Sequence, residues 1–127
     1  MPLVFDASAL LAVAFSEPGA EAVIEHLSES GGEISAANLA EVGSKLAECG
    51  LSTSEVQREL ASFALHVAPL DEAQALLVAG LRVPTMALGL SLGDRCCLAL
   101  AQTRGATIVT ADRTWRKLKG FDVKLIR

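Results

Sequence analysis

Leu3-Val4-Phe5-Asp6-Ala7-Ser8-Ala9-Leu10-Leu11-Ala12 opens the chain with three apolar residues, one acid and a run of small and apolar residues. The first three residues predict a short buried strand. Residues 8–15 predict a helix that starts almost at once. The strand-then-acid arrangement returns near the other end. Thr107-Ile108-Val109 is β-branched and predicts a strand, and Asp112 follows it by three residues. Between these two, Glu33-Ile34-Ser35 and His66-Val67-Ala68 predict further short strands, and residues 122–126 predict the last. The intervening stretches read as helices over residues 20–28, 37–49, 52–65, 72–83, 91–103 and 113–118. Ser52 or Ser54, and Asp71, stand as N-caps, Gly50 and Gly105 as stops, and Pro84 as an interruption. Strands alternating with helices or helix pairs imply one α/β domain over residues 1–127, built on a mostly parallel central sheet. In such sheets ligands bind beyond the carboxyl ends of the strands. Asp6 and Asp112 both fall there.

Composition agrees with a packed single domain. The chain has 127 residues, 51% of them hydrophobic and 20% charged, which excludes a disordered chain. Charge breaks every apolar run before it is long enough to cross a membrane, as Asp6, Asp94 and Arg95 show. The N-terminus has no basic stretch of the kind that opens a signal peptide. The three cysteines, Cys49, Cys96 and Cys97, are odd in number and lack a CxxC spacing. They argue against a disulfide framework or a zinc site and point to a reducing cytoplasm. The net charge of −4 is unevenly spread: residues 1–72 hold 12 acids and 2 bases, residues 73–127 hold 3 acids and 9 bases. The second part is either a set of solvated helix faces or a basic rim that meets phosphates.

Four acids stand out. Asp6 and Asp112 follow strands. Asp94 sits in the first turn of a helix whose residues 96–101 are continuously apolar, so its carboxylate opens onto a semi-enclosed space. Glu41 lies beside the Leu39, Val42, Leu46, Cys49 stripe of its helix, on an edge shared with Asn38 and Lys45. Each also has a plainer reading. Asp6 or Ser8 caps the first helix, Ser91 and Asp94 form a capping box, Asp112 caps the helix near Arg113, and Glu41 pairs with Lys45. Together the four fit metal-assisted phosphodiester hydrolysis. Mg²⁺ and Mn²⁺ prefer carboxylate oxygen, and a divalent ion relieves the repulsion among close acids. Such ions activate water and stabilise the leaving oxygen without any His, Lys or Cys nucleophile.

The same residues resemble a known family. Residues 4–12 resemble the opening strand and helix of PIN-domain nucleases. Asn38-Leu39-Ala40-Glu41-Val42 resembles their second acidic motif, Ser91-Leu92-Gly93-Asp94-Arg95 the third, and Val109-Thr110-Ala111-Asp112-Arg113 the fourth. The short single-domain form is similar to the VapC toxins of toxin–antitoxin pairs. The resemblance implies a PIN-like three-layer α/β/α sandwich and an endoribonuclease. It implies Mg²⁺ or Mn²⁺ held by Asp6, Glu41, Asp94 and Asp112, with Ser8 and Thr110 supporting the ligands. A homodimer silenced by a VapB-type antitoxin is also implied.

Further roles follow as expectations. Asp6, Glu41 and Asp94 are assigned to a first ion, and Asp112 to a water-mediated contact or a second ion. Arg95, Arg113 and Arg116 are candidate phosphate contacts, each with a solvated-face reading beside it. Trp115 either stacks on a base or anchors the last helix. His26, His66, Cys96 and Cys97 read as structural. Residues 73–92, with Met86, are either core or a face for a dimer mate or antitoxin helix. Two competitors remain: a silent PIN-like module that binds RNA or protein, and an acidic-pocket phosphatase or receiver. The second lacks support, because a dehalogenase-type phosphatase needs an Asp where Ser8 stands and a receiver needs an acidic pair where Asp6 is alone.

Overall fold

A computed structural model describes residues 2–127. Five strands form one sheet: β1 (Leu3–Phe5), β2 (Glu33–Ser35), β3 (His66–Ala68), β4 (Thr107–Thr110) and β5 (Asp122–Leu125). Their spatial order is β3-β2-β1-β4-β5, and every pair is parallel. The sheet is thus wholly parallel, where the sequence had implied mostly so. The chain works outward from β1 to β3, then crosses back to lay β4 on the other side of β1. The reversal between β1 and β4 is a topological switch point, the place at the carboxyl edge where such sheets bind ligands.

Seven helices cover the sheet: α1 (Ala7–Ala14), α2 (Ala20–Glu29), α3 (Ala36–Glu48), α4 (Thr53–Ser62), α5 (Glu72–Gly80), α6 (Arg82–Thr85) and α7 (Leu92–Arg104). Strand alternation sorts them into layers. Leu3, Phe5 and Val109 pack on one face against Leu10 of α1, Val23 of α2 and Val42 and Leu46 of α3. Val4 and Ile108 face the other way, against Cys97, Leu98, Leu100 and Ala101 of α7 and against Trp115. Helix α5 lies outside α7 through Val78, Cys96 and Ala99. The result is the α/β/α sandwich.

Local signals account for most ends. Ser52 and Glu55 close a capping box on α4, and Asp71 caps α5 by accepting from Gln74 N at 2.9 Å. Gly105 ends α7 at φ 60°, a left-handed conformation that glycine adopts without strain. Three elements depart from expectation. The helix expected over residues 52–65 ends at Ser62, just before Ala64 turns to φ 52°. The helix expected to run to Val83 stops at Gly80, and a separate turn, α6, carries Pro84 at its third position. Proline is tolerated there because a first-turn N–H has no helical partner to lose. Residues 113–117 form a 3₁₀ turn, not an α-helix.

Candidate metal centre

Asp6 follows β1 directly and caps α1. Its Oδ1 accepts from Ala9 N at 2.9 Å and from Ser8 Oγ at 2.7 Å. Its Oδ2 accepts from Thr110 Oγ1 at 2.6 Å, across the switch point from β4. The residue is only 4% exposed. Burial outweighs these donors and, with the charge of Asp94 added, pushes the Asp6 carboxyl up to about 6.

Asp94 occupies the first turn of α7. Its Oδ2 accepts from Ser91 N at 2.9 Å while Ser91 Oγ takes the Asp94 N–H at 3.1 Å, a complete capping box. Glu41 comes from α3, in the opposite layer. Much of the residue is exposed, but its Oε1 lies against Gly93 and accepts from Asn38 Nδ2 at 3.0 Å. Partial burial raises its carboxyl, the Asn38 hydrogen bond lowers it, and Asp94 raises it again. Beneath lies Cys97, fully buried. Its thiol is pushed well up by burial and by the charges of Asp6, Asp94 and Glu41, together with Cys96. The charges of three carboxylates from three distant segments thus act on one thiol.

Asp112 stands further out. Its Oδ1 accepts from Thr114 N at 3.0 Å and Thr114 Oγ1 at 2.7 Å, capping the 3₁₀ turn. It connects to the group through its own N–H, which donates to Thr110 Oγ1 at 3.0 Å. Ser8 Oγ also accepts from Ala111 N at 2.9 Å, so Ser8 and Thr110 brace Asp6 and the end of β4 together. The capping readings of Asp6, Asp94 and Asp112 thus hold, and the charge of Asp94 still acts on Asp6. The Glu41–Lys45 pair does not form; Lys45 meets Glu48 at 3.6 Å.

The basic candidates separate. Arg95 donates Nη1 to Val78 O at 3.0 Å, turning into the α5–α7 contact. Arg113 donates Nε to Arg127 O at 3.1 Å and is exposed, as is Arg116. Trp115 is fully buried and offers no ring face to a base. Sequence reading missed the inward turn of Asn38, which is 1% exposed, and the role of Gly93. A Cβ on Gly93 would overlap Glu41 Oε1 and come within 2.7 Å of its Cδ. The only available signal was the position of both residues inside the acidic motifs.

Hard divalent cations suit this donor set, which is all oxygen and mutually repelling. Among the described residues, no three His, Cys, Asp or Glu side chains are yet drawn together tightly enough to hold an ion. A cation would relieve the repulsion that Asp94 exerts on Asp6 and Glu41.

The raised Asp6 carboxyl makes stability depend on pH. Its folded value of about 6 lies above the reference of 3.8, so the folded chain holds this proton more tightly. The stabilisation is fully present below about pH 4 and lost as pH rises through about 6. The shift corresponds to about 3 kcal/mol at full burial. Denaturation in EDTA is expected to show Asp6 contributing a loss of this order between pH 4 and 7.5, which Asp6→Asn removes. An unchanged pH dependence in that variant would contradict the assignment.

The parallel α/β sandwich carries Asp6 at its switch-point edge, within reach of the charge of Asp94. The PIN domain family profile matches residues 3–120, and the chain belongs to that family. A search of curated proteins returns no match. Among solved structures, a toxin–antitoxin complex from Klebsiella pneumoniae is similar at TM-score 0.78 and 19% identity, covering 98% of each chain. VapBC2 from Rickettsia felis, bound to a promoter DNA fragment, gives TM-score 0.77 at 15% identity, again over 98% of each chain. VapBC-1 from nontypeable Haemophilus influenzae gives 0.74 at 16%, covering 99% of this chain and 98% of the other.

Proposed function

We propose that this chain is a Mg²⁺- or Mn²⁺-dependent endoribonuclease and the toxin of a VapBC-type pair. The PIN family match over residues 3–120 supports the reading, together with the charge of Asp94 acting on both Asp6 and Glu41. Asp6, Glu41 and Asp94 would hold the first ion, with Asp112 reaching it through water or sharing a second. When bound, the ion supplies the positive charge that activates water and stabilises the departing oxygen. The chain's own residues prepare that site. Ser8 and Thr110 fix both oxygens of Asp6, and Thr110 joins Asp112 to the same frame. The raised Asp6 carboxyl marks a group that gains from a cation beside it. Arg113 and Arg116, exposed next to Asp112, are the phosphate contacts best placed to steer RNA.

The solved relatives are antitoxin complexes, which supports a VapB-type partner for this chain. Leu76, Val83, Met86 and Leu92 are 68%, 76%, 55% and 62% exposed. Exposed apolar residues of this kind suit contact with a second copy, giving a homodimer, or with an antitoxin segment. No helix is long and apolar enough to cross a membrane among the described residues, which accords with a cytoplasmic toxin.

The competing reading is a silent PIN-like module that holds RNA or protein without cutting. Incubating the purified chain with RNA decides between them. Cleavage is expected in Mg²⁺ or Mn²⁺, is stopped by EDTA, and returns when Mn²⁺ is restored. Binding without cleavage in any of these metals would favour the silent module.

A further inference from the structure

Asn38 is almost wholly buried, yet it is polar and only partly satisfied. Both hydrogens of its Nδ2 are used: one reaches Glu41 Oε1 at 3.0 Å, the other Gly93 O at 2.9 Å. Its Oδ1 is buried with no donor. Reversing the amide would set that oxygen against a carboxylate and a carbonyl, so the orientation is fixed by its surroundings. A buried acceptor without a partner costs about 1–3 kcal/mol. Core packing alone would favour a leucine of similar volume at this position.

The donors show what the asparagine does. Glu41 belongs to α3 and Asp94 to α7, helices from opposite layers whose N-terminal turns meet at the carboxyl edge. Asn38 spans that meeting, taking its carboxylate from one helix and its carbonyl from the residue just before Asp94. Gly93 completes the arrangement from the other side, because any side chain there would drive Glu41 away. Glu41 is the most exposed of the three converging acids, and a glutamate has three side-chain torsions to settle. We propose that Asn38 is a positioning residue that, with Gly93, holds Glu41 beside Asp94 and so sets the affinity for a divalent cation. The inference rests on the metal-nuclease reading above.

The test uses Mn²⁺ itself, titrated into the RNA-free chain and followed by calorimetry or by the electron paramagnetic signal of free Mn²⁺. Asn38→Leu is expected to raise the Mn²⁺ dissociation constant roughly 10–100-fold, as loss of an outer-shell partner does. Its denaturation midpoint in EDTA is expected to change little, since removal of the unpaired acceptor offsets the two lost hydrogen bonds. Cleavage at saturating Mn²⁺ is expected to return close to wild type, since the acids themselves remain. Gly93→Ala leaves Asn38 in place but displaces Glu41, and is expected to weaken Mn²⁺ similarly. Wild-type Mn²⁺ affinity in both variants overturns the positioning role while leaving the nuclease reading intact. So does an affinity loss in Asn38→Leu matched by a collapse of stability, if Gly93→Ala binds normally. A wild-type chain that neither binds Mn²⁺ nor cuts RNA overturns both.

Discussion

Asp6→Asn is expected to cut metal-dependent RNA cleavage by on the order of a thousandfold, about 4 kcal/mol of barrier. The same change is expected to make the metal-free protein more stable at neutral pH. Asparagine keeps the cap on Ala9 N and can still accept from Ser8 or Thr110, so the local fold survives. What disappears is a buried negative charge whose carboxyl sits near 6. Removing it at pH 7.5 relieves up to about 3 kcal/mol of desolvation and repulsion. Activity and stability should thus move in opposite directions, a pattern that simple misfolding cannot produce. Cleavage assays and denaturation curves on one preparation measure both. A variant that cuts RNA as fast as wild type would remove Asp6 from the proposed mechanism.

Trp115→Ala is expected to cost about 3–5 kcal/mol of folding stability, the usual range for emptying a large buried aromatic site. Trp115 is fully buried and packs with Ile108, Leu98 and Leu100 beneath the 3₁₀ turn that Asp112 caps. Its indole Nε1 is buried without a partner, an unusual state for tryptophan. Trp115→Phe loses part of the packing but also sheds that unpaired N–H, so its cost should be well under half that of alanine. Denaturant titration of the two variants gives the comparison. Equal losses would mean that the indole nitrogen finds a partner in solution.

The strands and the acids were readable because each is a local pattern. Leu3-Val4-Phe5 and Thr107-Ile108-Val109 are short apolar runs, and every strand predicted from such runs forms. Helix ends with a side-chain cap or a terminal glycine, as at Asp71 and Gly105, were also found. The end of α5 was missed because nothing in residues 72–83 marks it as strongly as Pro84, and Pro84 is accommodated inside the next turn. Within the site, sequence nominated Asp6, Glu41 and Asp94, and the charge of Asp94 acts on both of the others. It did not reveal that Asn38 turns inward or that Arg95 turns toward Val78. Helical periodicity assigns a residue to a face but does not name its partner. The partner of Asn38 lies 55 positions away on another helix, and that distance hides it from any window of sequence.

The central place of β1, flanked by β2 and β4, governs when the protein can exist during its own synthesis. The first strand made must wait for one of the last, because Asp6 takes a hydrogen bond from a hydroxyl 104 positions later. Pairings this far apart close late and cannot form piecemeal as the polypeptide emerges. A nascent chain halted before residue 107 has one flank of β1 bare and no Thr110 to brace Asp6. The hydrogen-bonded frame around Asp6 is therefore complete only once the fourth strand has been delivered.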